Sequence, residues 1–316
     1  MTYAQNSLVE ASDYNTLASS FNNLWGTGTG NKGLGQSGLL SSVQQLAKVS
    51  KTEWTNLANA ITKLGNQQGS VLTSLPTFNT GDIIKYVSAL QTNLSTLNSN
   101  AGWAQVQGTT STTTTQTTAA WDNSLTFTQT ITFGSGDQAR YFFNAGGQIV
   151  VQPNITISNT APGSVFFKNL VQLCGSWVIS GAGGKIVGST YTPFTKIGGT
   201  TSPASINTNL GYYSLTSSYQ QAIKILYDGS FAGASTNFGN YGTNSFIEMN
   251  VKSNGTQGIN NDAGSVITIQ VIFDEIPNGL TVTGTTSVNC LIKPPSLSYI
   301  TGTWGTVTVN GTVTGS

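Results

Sequence analysis

Apolar residues recur along this chain with two different periods, and the change from one to the other divides it. In SDYNTLASSFNNLWG, Tyr14, Leu17, Ala18, Phe21, Leu24 and Trp25 fall at helical spacing. This predicts an amphipathic helix, with Ser12 or Asp13 placed to cap its start and Gly26 to end it. A second helix is predicted from Ser50-Lys51-Thr52-Glu53, where Ser and Glu can each satisfy the other's free backbone N–H. It continues through Trp54, Leu57, Ala58, Ile61 and Leu64 to Gly65. In the third, Ile83, Val87, Leu90, Leu94 and Leu97 step by four, three, four and three, the a/d seam of a short coiled coil. The same spacing fits the core face of an ordinary helix bundle, and both readings stay open.

Residues 107–119, QGTTSTTTTQTTA, are uncharged and of low complexity, and read as a spacer or an edge strand. Beyond them the period becomes two. Leu125, Phe127, Ile131 and Phe133 alternate with threonines, the pattern of a half-buried strand. Further strands are expected at 265–273, 280–292 and 304–313. In ARYFFNAGGQIVVQ, Asn144, Ala145, Gly146 and Gly147 separate two β-prone runs and predict a hairpin whose turn needs positive φ. At least two of Tyr141, Phe142 and Phe143 are expected to bury their rings. The stretch 165–177 reads as a helix within the strand region, and 216–226 fits neither period. Together these elements predict an α+β chain: an N-terminal helical segment followed by a mainly antiparallel β-sandwich or jelly-roll-like domain. The expected divisions are a helical docking and assembly domain at 1–106, a Thr-rich linker at 107–120 and a β-rich domain at 121–316.

Composition narrows the chemistry. The 316 residues include no histidine, and 7% are charged, against roughly 25% in an ordinary soluble domain. Without histidine, His-dependent triads and most catalytic zinc sites are excluded. The net charge is +1 and Arg140 is the sole arginine, so there is no basic footprint for nucleic acid. The expectation is a non-enzymatic chain with no cofactor, no metal and no nucleic-acid partner. The opening residues show neither a basic nor an apolar signal region, and no apolar run approaches the roughly 18 residues of a spanning helix, so the chain is expected to be made and kept in a cytosol, or to leave by a route that needs no signal, without membrane insertion. Cys174 and Cys290 are expected as buried thiols.

Gly28, Gly30 and Gly33 formally match GxGxxG, but they follow a helix where a dinucleotide site needs a strand. They are read instead as a connection that permits positive φ and close backbone approach to a neighbouring subunit. The carboxylates Asp122, Asp137, Asp228, Glu248, Asp262, Asp274 and Glu275 are dispersed and read as turn and surface groups; Asp274 and Glu275 should point to opposite faces of a strand end. Tyr212, Tyr213, Tyr219, Tyr227, Phe231, Phe238 and Tyr241 crowd a Gly/Asn/Ser-rich stretch. They read as core packing or as a sugar- or protein-binding surface, with Tyr212, Tyr213, Tyr227 and Tyr241 the candidate receptor-facing rings.

Two strings carry a resemblance. ASDYNTLASSFNNLWGTGTGNKGLGQS and ARYFFNAGGQIVV resemble a group of tailed-bacteriophage virion proteins that pair a helical segment bearing a GTGxGxxGxGQ loop with a β-rich part carrying a [RK]-[YF]-F-F-N-[AS]-G-G hairpin. The match touches both halves of the chain as scattered motifs, and Leu34 stands where the group has an aromatic. The resemblance implies a structural virion component, a tail fibre or baseplate-attached protein, with other virion proteins as partners and the virion, assembled in the host cytoplasm, as its location. A neck, collar or capsid-surface protein and a carbohydrate-binding adhesin that takes a host cell-surface glycan are the alternatives, and a depolymerase would need facing carboxylates. The uncharged surface and the seam from Ile83 to Leu97 predict a homo-oligomer, with a trimer as its leading form.

Overall fold

The computed structural model describes residues 10–75, 77–79, 87–104, 109–181, 185–186, 189–190, 195–197, 205–206, 215–226, 245–254, 264–275 and 281–315. Its helices α1 (Ala11–Trp25), α2 (Lys51–Gln68) and α3 (Val87–Ser99) form the N-terminal part. The cap of α1 is Glu10, ahead of the expected Ser12 or Asp13, and the Asp13 carboxylate accepts from the Glu10 N–H at 2.8 Å. Ser50 and Glu53 cap α2 reciprocally, as their spacing predicts. That helix continues past Gly65 to a left-handed Gly69 at φ 64°. A Cβ on Gly65 would lie 2.5 Å from Leu72, so glycine there lets the chain leaving α2 cross the helix closely.

All three helices point their C-terminal ends at the sheets, so the chain must return between them. It does so in extended segments held by asparagine side chains. Asn22 donates to the Leu40 carbonyl and accepts from the Leu40 N–H, Asn15 does the same with Val43, and Asn93 with Thr73, at 2.7–2.9 Å. Each amide satisfies a donor and an acceptor that an extended segment would otherwise leave unpaired.

The helical core includes an edge-to-face pair, Tyr14 on Trp54, with ring centroids 5.4 Å apart. Val87, Leu90, Leu94 and Leu97 belong to it: Leu90 and Leu97 are 0% exposed and α3 packs on both α1 and α2. The seam is therefore intramolecular core, because one chain already surrounds it. Ile83, its first expected member, lies outside the described residues.

Two mainly antiparallel sheets follow. The five-stranded sheet has the order β2 (Ser111–Thr117), β13 (Gly284–Lys293), β4 (Gln148–Ile157), β5 (Ser176–Ser180), β8 (Thr195–Ile197). The six-stranded sheet runs β14 (Thr308–Gly315), β3 (Ser124–Thr132), β12 (Val266–Asp274), β11 (Phe246–Ser253), β10 (Gln220–Leu226), β9 (Ser205–Ile206). A small third sheet joins β1 (Trp103–Ala104), β6 (Lys185–Ile186) and β7 (Ser189–Thr190). The expected linker is corrected over 111–117, where β2 pairs with β13 from Ser111↔Ile292 to Thr117↔Thr286. Threonine's β-branch suits extended, paired backbone, so low complexity here marks an edge strand.

Helix α5 (Pro162–Cys174) packs against β4 of one sheet and against β10 and β11 of the other, a wedge that spreads the sandwich on that side. Phe167 of α5 packs edge-to-face on Trp121 and at a tilt on Phe273, at 4.7 and 6.3 Å between centroids. On the opposite side the sheets close tightly, with Gly311 of β14 lying on Thr115 of β2. Cys174 and Cys290 are buried free thiols, and burial pushes Cys290 up to about 12.

Leu90→Ala should cost about 2–5 kcal/mol of folding stability in a solitary chain, the effect of a large-to-small change in a closed core. Urea unfolding of dilute protein checks this. A fragment beginning at residue 121 lacks β2 and should be less stable or less soluble than one beginning at 109, which thermal scans of both would show.

Candidate functional site

A densely bonded polar cluster lies where helices and sheets meet, and it is made by the two strings that carry the resemblance. Residues 140–147 do not form the expected hairpin. Gly136–Asn144 is a helix, α4, capped by the Ser135 side chain, which accepts from the Gln138 N–H at 3.1 Å. Only 148–157 is a strand, β4. Ser135 at the cap and Asp137 in the first turn are helix-start signals, and they outweigh the β propensity of the Tyr-Phe-Phe run once its rings can be buried from a helix. Phe142 and Phe143 are 0% exposed, and Phe142 packs with Phe133 and Trp304 at 5.4 and 6.3 Å. In the turn that follows, Gly146 has φ 93°. Gly147 is needed for space, since a Cβ there would lie 2.6 Å from the Phe142 ring.

Arg140 and Asn144 are four residues apart on α4 and therefore share a face. That face meets the glycine loop. The Arg140 guanidinium, 2% exposed, donates to the carbonyls of Thr27, at 2.8 Å, and Lys32, and pairs with Asp137 at 2.5 Å. Asn144 donates to the carbonyls of Asn31 and Gly33, both at 2.9 Å. Four loop carbonyls thus converge on two side chains. The loop closes on itself through Leu34 and Gly35 N–H bonds to the Gly26 carbonyl at 3.0 and 2.8 Å. Gly28 and Gly33 have φ of 70° and 98°, and a Cβ on either would strike loop backbone. Gly35 is equally constrained, with the Tyr141 ring 2.5 Å from where its Cβ would be. A phosphate site turns N–H groups inward; this loop turns carbonyls inward, toward a cation supplied by its own chain.

A second strap comes from the C-terminal region. The Gln36 side chain accepts from the N–H and hydroxyl of Thr301, both at 2.8 Å, and donates to the Thr301 carbonyl at 2.9 Å. Thr303 donates to the Leu34 carbonyl at 2.5 Å, and Gln67 of α2 to that of Ser296 at 3.2 Å. The Gly102 N–H, just beyond α3, donates to the Asn144 carbonyl at 2.9 Å. Gln36, Thr301 and Thr303 escaped the sequence reading, since nothing in a sequence pairs positions so far apart. Arg140 carried a usable signal: a chain with one arginine places it where a planar, multiply donating cation is needed.

Elsewhere, Glu248 accepts from Gln221 and Asn250, both at 2.8 Å, and lies 3.6 Å from Lys224. Both its oxygens are engaged. Asp274 shares that outer sheet face; burial raises its pKa, Lys224 lowers it and Glu248 raises it further. Glu275, just past the end of β12, is 2% exposed, so it is a buried carboxylate where a surface group was expected. Asp137 serves Arg140, Asp122 is exposed, and Asp228 and Asp262 lie outside the described residues. So do Tyr212, Tyr213, Tyr227 and Tyr241, along with Phe231 and Phe238. Tyr219 is described and sits under the Lys252 ammonium, 4.4 Å from the ring centre. Among the described residues no cluster of three metal-ligating side chains occurs, and no helix is long and apolar enough to cross a membrane. A groove of about 440 Å³ between α1 and α3 is lined by Thr16, Ser20, Asn23, Gln91 and Asn98 over Leu17 and Leu94. The chain matches no protein-family model, no curated protein and no solved structure.

Arg140→Met should destabilise the whole chain by about 1–3 kcal/mol, because two part-buried loop carbonyls lose their donor and Asp137 its cation. Arg140→Lys should recover only part of that, since one ammonium cannot span the fork. Denaturant titration of the two variants beside wild type measures both.

Proposed function

We propose that the chain is a non-enzymatic structural component of a tailed-bacteriophage virion, a tail fibre or baseplate-attached protein. One observation carries the reading. The glycine-loop string and the ARYFFNAGG string, more than a hundred residues apart in the chain, are the two halves of a single interlock. A resemblance in two scattered motifs means more when those motifs must coexist for either to work. The lack of histidine, the engaged Glu248 and the thinly charged surface fit a chain whose work is to hold shape and bind protein. The helical part serves for docking to other virion proteins and the sandwich projects. A neck, collar or capsid-surface position shares this support and differs only in place. A glycan-binding role for Tyr212, Tyr213, Tyr227 and Tyr241 rests on composition alone. A homo-oligomer remains part of the proposal, but the buried Val87–Leu97 face gives no reason for a trimer.

Purified particles from the phage whose genome encodes this chain should contain it at fixed stoichiometry after density-gradient banding, as read by peptide mass spectrometry. Antibody-gold labelling should place it on the tail or baseplate. Its presence in the lysate but not in banded particles would sink the proposal; label on the neck or head would move it to the alternative position.

A further inference from the structure

Strand β14 ends the six-stranded sheet, and no strand lies beside its outer edge among the described residues. Thr308, Asn310, Gly311, Thr312, Thr314 and Gly315 are exposed, while Val309 and Val313 are half-buried against the core. Natural edge strands are commonly guarded by lysine, proline or an inward charge. Here there is none: residues 294–316 contain no charged side chain, and β14 has no proline. Beneath it, the other sheet ends in β2, which lies within 87–121, a second stretch with no charge. Both sheets are therefore open and unguarded on the same side of the sandwich.

The sequence of β14 is also nearly symmetric about Gly311. Reading outward, Asn310 and Thr312 are followed by Val309 and Val313, then by Thr308 and Thr314. We propose that β14 is a self-recognition edge, pairing antiparallel with β14 of a second copy of this chain about a two-fold axis at Gly311. In that register Val309 meets Val313 of the second copy twice, Thr308 meets Thr314 twice and Gly311 meets itself. Sliding by two residues places a valine opposite glycine and shortens the paired length. Sliding by one turns the valine face of one strand against the threonine face of the other. A two-fold contact is isologous, so like residues must recur on both sides of its centre, which is what the strand supplies. The result is one continuous sheet across two copies, with Val309 and Val313 covered from the side and the open backbone groups paired. This inference is independent of the virion reading, which is judged by particle composition.

The test uses the full-length chain and sedimentation velocity. Wild type is expected to dimerise at micromolar concentration. Thr308→Lys with Thr314→Lys places like charges opposite each other twice and should weaken the dimer about tenfold or more. Thr308→Lys with Thr314→Glu places opposite charges in the same two positions and should restore it. Both sites are exposed, so circular dichroism and Tm of the variants should match wild type. A wild-type monomer at high micromolar concentration overturns the proposal, as does an oligomer indifferent to the double lysine or a dimer that the Lys/Glu pair fails to restore.

Discussion

A guanidinium 2% exposed must find acceptors within the chain, and Arg140 finds them in the backbone of a loop more than a hundred residues earlier. Much else is arranged around that need. The loop must turn carbonyls inward, which requires the positive φ of Gly28 and Gly33 and leaves no room for their side chains. Residues 136–144 must be helical, because a helix sets Arg140 and Asn144 about 6 Å apart, whereas a strand would separate them by about 13 Å and out of reach of one small loop. Gly147 must then be small so that β4 can leave past Phe142.

That interlock explains why three helices run the same way. Each ends at the sheets, where its last turn or the loop beyond it is bonded to α4 or to the 296–303 segment: Gly33 and Gln36 after α1, Gln67 in α2 and Gly102 after α3. Return chains are the cost of parallel helices, and the Asn15, Asn22 and Asn93 clamps meet it with side-chain amides in place of a ladder. Helical and β parts are thus less separable than their compositions suggest. A boundary that looks like a linker lies, over 111–117, inside a sheet.

The same scarcity of charge has two consequences. Within the fold it makes polar order depend on amides and hydroxyls, as at Gln36 with Thr301 and Glu248 with Gln221 and Asn250. At the surface it leaves β2 and β14 without the charges that keep sheet edges apart. For an enzyme the first would be a handicap; for an assembling protein the second is an opportunity. Both are in keeping with the virion role proposed above.

Periodicity alone determined the class of fold. The helices at Tyr14–Trp25 and Trp54–Leu64, the strand at Leu125–Phe133 and the strands near 265–273 and 280–292 all follow from local spacing, because a half-buried element repeats its apolar residues with its own geometry. Only the tertiary structure decided the rest. Whether Val87 to Leu97 faced α1 and α2 or another copy depended on what surrounds the seam, and spacing is blind to that. Whether Tyr-Phe-Phe was strand or helix depended on rings and an arginine whose partners lie in Trp304 and the glycine loop. The interlock was legible only as two unconnected strings, since hydrogen bonds between Arg140 and Thr27, or between Gln36 and Thr301, join positions that no local rule relates.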